Sequence, residues 1–234
     1  MKANDPRSPV IPQASPRGSA PPIPTKQSNL LYVGPRQLIA AILGVLLYGA
    51  LSHANLILII PGGTPDVFLP ALLIPLLLGV IYGPWVGLVV GGFGFLLGDY
   101  AANFFLHDLS GNSGYLYYAL TLVNRDVIGW DGIPGYLASA LIGLVAGLTR
   151  MYTRRYNTFN ALAIVGIMCA VAIIIATAIV AYSAVWIYNT PYYTLAEATA
   201  AFFDTTMPNM LFALLVLPFL LRVYDLVASR SKNV

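Results

Sequence analysis

Charge is what this sequence has least of. Asp, Glu, Lys and Arg make up 9% of its 234 residues, hydrophobic residues make up 58%, and the mean hydropathy is +0.76. Soluble domains carry about 25% charged and about 45–50% apolar residues, so the soluble classes drop out and an integral membrane protein remains. Cysteine is almost absent. Cys169 has no second cysteine to pair with, and in the middle of an apolar run it reads as a small packed hydrophobe. The two histidines, His53 and His107, are isolated, so there is no Cys/His metal spacing. HExxH, GxSxG and a Walker loop are missing too. Nothing argues for an enzyme, no cofactor is expected in the chain itself, and it has no motif with which to use ATP.

Residues 1–33 lack any apolar block. The stretch "NDPRSPVIPQASPRGSAPPIPTKQSN" is rich in Pro and Ser and reads as a disordered tail. It has neither the apolar core nor the cleavage site of a signal peptide. The membrane domain is expected over 34–228, with a short tail at 229–234. Its apolar spans are about 36–60, 67–82, 85–106, 133–149, 160–188 and 206–226. A single helix over 70–106 would be about 55 Å long against a hydrocarbon core of about 30 Å, so it must turn back. Gly83-Pro84 is the place: glycine ends one helix and proline suits the first turn of the next. The fold expected is therefore an all-α compact bundle of six transmembrane helices with a tight hairpin between helices 2 and 3.

Orientation follows from the basic residues. With both termini cytoplasmic, eleven of the twelve Lys and Arg lie inside, and only Arg125 falls outside. The basic excess thus concerns orientation and lipid headgroups; no nucleic-acid partner is indicated.

Glycine and other small residues recur at helical spacing. Gly87, Gly91, Gly94 and Gly98 form one stripe on helix 3, and Gly135, Ser139, Gly143 and Gly147 form another on helix 4. Helix 1 offers Ala40 with Gly44, and Ala50 with Ala54. Small residues let helices approach closely in a bilayer, so these stripes serve internal packing or dock another membrane subunit.

Polar residues inside apolar spans are costly and mark function. Here they gather towards the outer side: Asp99 and Asn103 one turn apart on helix 3, His53 and Asn55 on helix 1, Asp66 before helix 2, and Asn209 at the start of helix 6. Asp204 reads as the N-cap of helix 6. The two long outer connections, 107–132 and 189–205, carry Asn124, Arg125, Asp126, Trp130, Asp131, Tyr192, Tyr193 and Glu197. Long connections of this kind often bind ligands. A small organic ligand suits a pocket with apolar helical walls and polar and aromatic loop residues. The candidate ligand-binding residues are Asp99, Asn103, Asn124, Arg125, Trp130, Asp131, Tyr192, Tyr193, Asn209 and His53. The bland alternatives are an aromatic belt for Tyr115, Tyr117, Tyr118, Trp186 and Tyr188, and a surface ion pair of Arg125 with Asp126 or Asp131.

Three stretches together resemble the substrate-binding S component of energy-coupling factor (ECF) vitamin transporters. They are "PALLIPLLLGVIYGPWVGLVVGGFGFLLGD" (70–99), "GWDGIPGYLASALIGLVAGL" (129–148) and "PFLLRVYDL" (218–226). The resemblance covers about residues 36–226 and is nearest to members without an assigned substrate. It implies a six-helix subunit that captures a micronutrient from outside. Such a subunit joins a transmembrane T component and two ATPase subunits, which consume the ATP. It places binding loops before helices 2, 4 and 6, here 60–66, 107–132 and 189–205. It also places the T-component contact on small residues of helix 1, for which Ala40, Gly44, Ala50 and Ala54 are the candidates. The rival readings are a stand-alone carrier or channel, a membrane enzyme acting on a lipid through His53 or Asp99, and a scaffold without ligand.

Overall fold

The computed structural model describes residues 34–52, 68–108, 132–153, 155–186 and 194–230, and among them every regular element is helical. Six helices follow one another: α1 (Pro35–Ser52), α2 (Leu73–Tyr82), α3 (Pro84–Asp108), α4 (Ile133–Gly147), α5 (Phe159–Trp186) and α6 (Leu195–Arg230). A 3-10 turn at Pro70–Leu72 leads into α2, and another at Leu148–Met151 extends α4. Five of these stretches are long and apolar enough to cross a membrane, while Pro70–Tyr82 is a shorter apolar helix. The chain is a multi-pass membrane protein.

Helix α6 departs from the expected boundary. Residues 195–205, read from sequence as the end of an outer loop, are its first three turns. The cause is a capping box starting at Thr194. The Thr194 hydroxyl accepts from the Glu197 N–H at 3.3 Å, and Glu197 Oε2 accepts from the Thr194 N–H at 2.7 Å. The good helix formers of "LAEATAA" follow. Asp204 is therefore an exposed residue within the helix and not its N-cap. At the other end α6 runs to Arg230, so the expected C-terminal tail begins inside it.

The turn between α2 and α3 is a single residue. Gly83 has φ +114° and ψ 172°, a conformation essentially reserved for glycine, and its N–H donates to the Gly79 carbonyl at 2.7 Å. Pro84 then opens α3, where its missing N–H costs nothing. Helix α2 becomes the hub of the bundle. It packs on α1, α3 and α4 and touches α6, and Pro75, Leu76 and Val80 are fully buried.

Glycine decides how close the other helices come. On one side of α3, Gly87 meets Gly143 and Gly91 meets Ser139, backbone against backbone, so that a Cβ at either glycine would strike α4. On the other side, Gly94 takes the Tyr48 ring and Gly98 lies against Gly49 and Ser52 of α1. The single stripe seen in the sequence thus divides between two neighbours. The α4 stripe of Gly135, Ser139, Gly143 and Gly147 is buried throughout. From α4 the bundle continues to α5 and from α5 to α6.

One end of the bundle carries the described basic residues, beginning with Arg36 and including Arg150. There the last carbonyls of α2, which have no helical donor left, take side chains from three other segments. Arg150 Nη1 and Gln37 Nε2 both donate to the Tyr82 carbonyl, the latter at 3.0 Å, and the Tyr156 hydroxyl donates to the Val80 carbonyl at 2.8 Å. A guanidinium at a helix C-terminus also opposes the negative end of its dipole. Burial pushes the Tyr156 phenol from its ordinary 10.0 up to about 12, against the lowering effect of Arg150, so it remains a neutral donor. These bonds tie α1, the α2–α3 hairpin and the α4–α5 connection together at one level.

Candidate functional site

The helices start level at the basic end but finish at different heights. From Gly83, the α2 segment reaches back to Leu69, about 20 Å away, and α4 reaches from Gly147 to Ile133 over about 21 Å. Helix α3 runs on to Asp108, about 36 Å, and α5 to Trp186, about 40 Å. Helix α6 reaches a similar height at Leu195, about 21 Å beyond Asn209. Lateral contacts confirm the levels: Leu69 meets Asn209, Thr177 meets Thr206, and Tyr182 meets Thr199. Two short helices are therefore flanked by three tall ones.

This step is where the polar side chains lie. Tyr136, in the first turn of α4, donates its hydroxyl to Asp99 Oδ2 on α3. The Tyr136 ring stands edge-on to Phe95 at 6.0 Å, and Phe95 stacks on Tyr48 at the same separation. The Tyr48 hydroxyl lies 3.2 Å from Ser139 Oγ. Asp99 is half-buried, whereas Tyr48, Phe95 and Ser139 are buried. The Tyr136 hydroxyl thus satisfies part of the hydrogen-bonding demand of a half-buried carboxyl group.

On the far side of the step, Asn209 Oδ1 accepts from the Leu69 N–H at 2.8 Å and its Nδ2 donates to the Thr205 carbonyl at 2.7 Å. Phe68 and Phe212 meet edge to face beside it, 5.1 Å apart. Leu69 is buried just ahead of the 3-10 turn, where its N–H has no helical acceptor, so Asn209 supplies one.

The expected ligand-binding residues divide into three groups. Asp99 and Asn209 stand at the step, with Asn209 already engaged in holding α2 to α6. Asn103 lies on α3 one turn beyond Asp99. His53, Asn124, Arg125, Trp130, Asp131, Tyr192 and Tyr193 lie outside the described residues, as does Ala54. Two of the expected partner-subunit contacts are placed otherwise. Ala40 and Gly44 are buried on the inward face of α1, where a Cβ at Gly44 would press on Leu78 and Val90. They pack this chain's own helices. Of the three that are described, Ala50 alone is exposed.

Sequence reasoning passed over Tyr136 and Tyr48. A signal for Tyr136 existed: it adjoins Gly135 of the α4 stripe, and a carboxyl within α3 requires a donor from a helix packed on it. Tyr48 had a signal too, since a stripe as smooth as Gly91–Gly94–Gly98 needs something large opposite. Among the described residues no group of three or more His, Cys, Asp or Glu comes together to hold a metal.

No family model, curated protein or solved structure matches this chain. The site must be read from its own geometry. That geometry presents a hydrogen-bonded carboxyl group at the foot of the step, with the Tyr136 ring beside it and Phe95 edge-on to that ring.

Proposed function

We propose that this chain is the membrane-embedded substrate-binding subunit of an ATP-driven importer of the ECF type, an S component that captures a small organic micronutrient. The observation that carries the reading is the step between short and tall helices, with the Asp99–Tyr136 pair at its foot. Positive residues at the opposite end support an orientation in which the step faces outside and both termini face the cytoplasm of a cell membrane. Two connections, 53–67 and 109–131, precede the short helices in the sequence, the second following Asp108 at the top of α3 and preceding Gly132 at the foot of the step. The expected loop residues Arg125 and Trp130 belong to that second connection.

In this reading the ligand is held beside Asp99, and energy comes from ATPase subunits reached through a transmembrane T component. Association with that component falls to the outward face of α1, where Leu43, Leu47 and Ala50 are exposed, since Ala40 and Gly44 are occupied within the chain. The test is native mass spectrometry of the protein purified in mild detergent. A bound species of a few hundred daltons is expected, and it should be lost or greatly reduced in Asp99→Ala protein that still inserts and stays monodisperse. A spectrum that stays empty after addition of cell extract sinks the proposal.

A further inference from the structure

Helix α6 runs unbroken from Leu195 to Arg230 with two prolines inside it, Pro208 and Pro218, and Pro208 stands level with the foot of the step. Proline brings no N–H, so the Asp204 carbonyl lacks the donor that position 208 would otherwise supply, and a helix bends most easily at such a break. What distinguishes this proline is the difference between its two sides.

Just below it α6 is pinned. Asn209 holds the Leu69 N–H at 2.8 Å, Phe212 packs on Phe68, and Ala213, Leu217 and Leu221 are buried in the bundle core. Thr206, two residues above the proline, is fixed to Thr177 of α5 at 2.7 Å. Further up, from Leu195 to Asp204, the polar tie to α5 among the described residues is one long hydrogen bond, Tyr182 to Thr199 at 3.4 Å. The Tyr182 and Phe202 rings also approach there, tilted and 6.1 Å apart. Ala198 is buried, while Phe203 and Asp204 are exposed. The segment above the proline is also the part of α6 that rises past the starts of α2 and α4.

We infer that α6 is hinged at the break between the Asp204 carbonyl and Pro208, with Thr206, Asn209 and Phe212 as a fixed post and residues 195–204 as a movable wall of the step. Small rotations at the proline carry the wall towards or away from Asp99. That such movement admits or retains a ligand rests on the binding proposal; the hinge itself does not, and it is tested without ligand.

The experiment uses the full chain in lipid nanodiscs with Cys169→Ala to remove the native thiol. Spin labels at Tyr100→Cys and Ala200→Cys report the wall, and labels at Trp85→Cys and Phe219→Cys report the bundle below the hinge; all four positions are exposed. The wall pair is expected to give a broad or two-peaked distance distribution and the lower pair a narrow one. Pro208→Ala, which restores the helical hydrogen bond, should collapse the wall distribution to one narrow peak. Amide exchange in the unsubstituted protein supplies a second reading, with amides 199–204 exchanging about tenfold faster than 213–217. A wall pair as narrow as the lower pair overturns the hinge, and so does a broad one that Pro208→Ala leaves unchanged. Equal exchange on the two sides of the proline would do the same.

Discussion

The Tyr136 hydroxyl reaches the Asp99 carboxylate across a seam that is otherwise closed by glycine, three residues outward of the place where Ser139 lies against Gly91. Close backbone packing and polar recognition are thus successive stretches of one helix pair. The seam sets the distance between α3 and α4, and that distance decides whether a tyrosine on one can solvate a carboxylate on the other.

Removing the hydroxyl while keeping the ring isolates that contact. Tyr136→Phe preserves the edge-on packing against Phe95 and deprives Asp99 of one donor, which should lower stability by about 1–3 kcal/mol. Asp99→Asn in the same background should recover most of the loss, because a neutral amide demands less solvation. Thermal denaturation of the two single variants and the double variant in one detergent makes a double-mutant cycle. Strict additivity would show that the pair is not coupled.

The glycines divide into those that face backbone and those that do not. Gly143→Ala drives a methyl group into the Gly87 backbone, which cannot move aside, so it should cost about 1–3 kcal/mol or more. At Gly166 the nearest atom to an added methyl is the end of the flexible Leu214 side chain, at 3.3 Å. Gly166→Ala should be neutral or stabilising, since alanine is favoured over glycine in a helix by up to about 1 kcal/mol. Comparable melting-point losses for both variants would refute the assignment of the α3–α4 seam as the tight one.

Much of this architecture is legible in the sequence, because bilayers impose simple rules. Apolar run length gives the helices, Gly83-Pro84 gives the hairpin, and the small-residue spacing gives the surfaces that pack. What the pattern could not reveal was which neighbour each glycine meets. A stripe on a helix records closeness without naming a partner, and Gly94 and Gly98 turn towards α1 while Gly87 and Gly91 turn towards α4. The same gap explains Ala40 and Gly44, whose spacing suits an external contact as well as an internal one. The start of α6 was hidden for another reason. Residues 195–205 include polar ones and precede the apolar run, and hydropathy sees only the run; the signal was the capping pair of Thr194 and Glu197. Asp99 could be singled out as a costly group, but its hydroxyl donor lies 37 positions away and only packing brings it near.

Tyr156 gives the basic end a pH dependence. Its phenol titrates at about 12 in the folded chain, chiefly because it is buried, against an ordinary 10.0. A group whose folded value is raised stabilises fully below the unfolded value and ceases to do so as pH rises through the folded one. The contribution of Tyr156 should be constant up to pH 10 and decline between pH 10 and 12. Tyr156→Phe, which loses the bond to the Val80 carbonyl, should be less stable than the parent by about 1 kcal/mol at pH 8. The two curves should draw together above pH 10. Parallel curves across that window would mean that the phenol is not the group responsible.

Orientation is the premise on which an outward-facing step depends, and it can be checked without any ligand. In a Cys169→Ala background, Tyr152→Cys probes the basic end and Trp186→Cys the top of α5; both side chains are well exposed, at 72% and 74%. A membrane-impermeant thiol reagent applied to intact cells should modify the cysteine at 186 and spare the one at 152, with both reacting once the membrane is permeabilised. The expectation rests on the distribution of arginine, since moving so many cations across the membrane during insertion is unfavourable. The inverse labelling pattern would turn the Asp99–Tyr136 pair towards the cytoplasm. A receptor with its recognition groups there could not capture a nutrient from outside, and the same geometry would then have to be read as the intake of an exporter or the docking face for an internal partner.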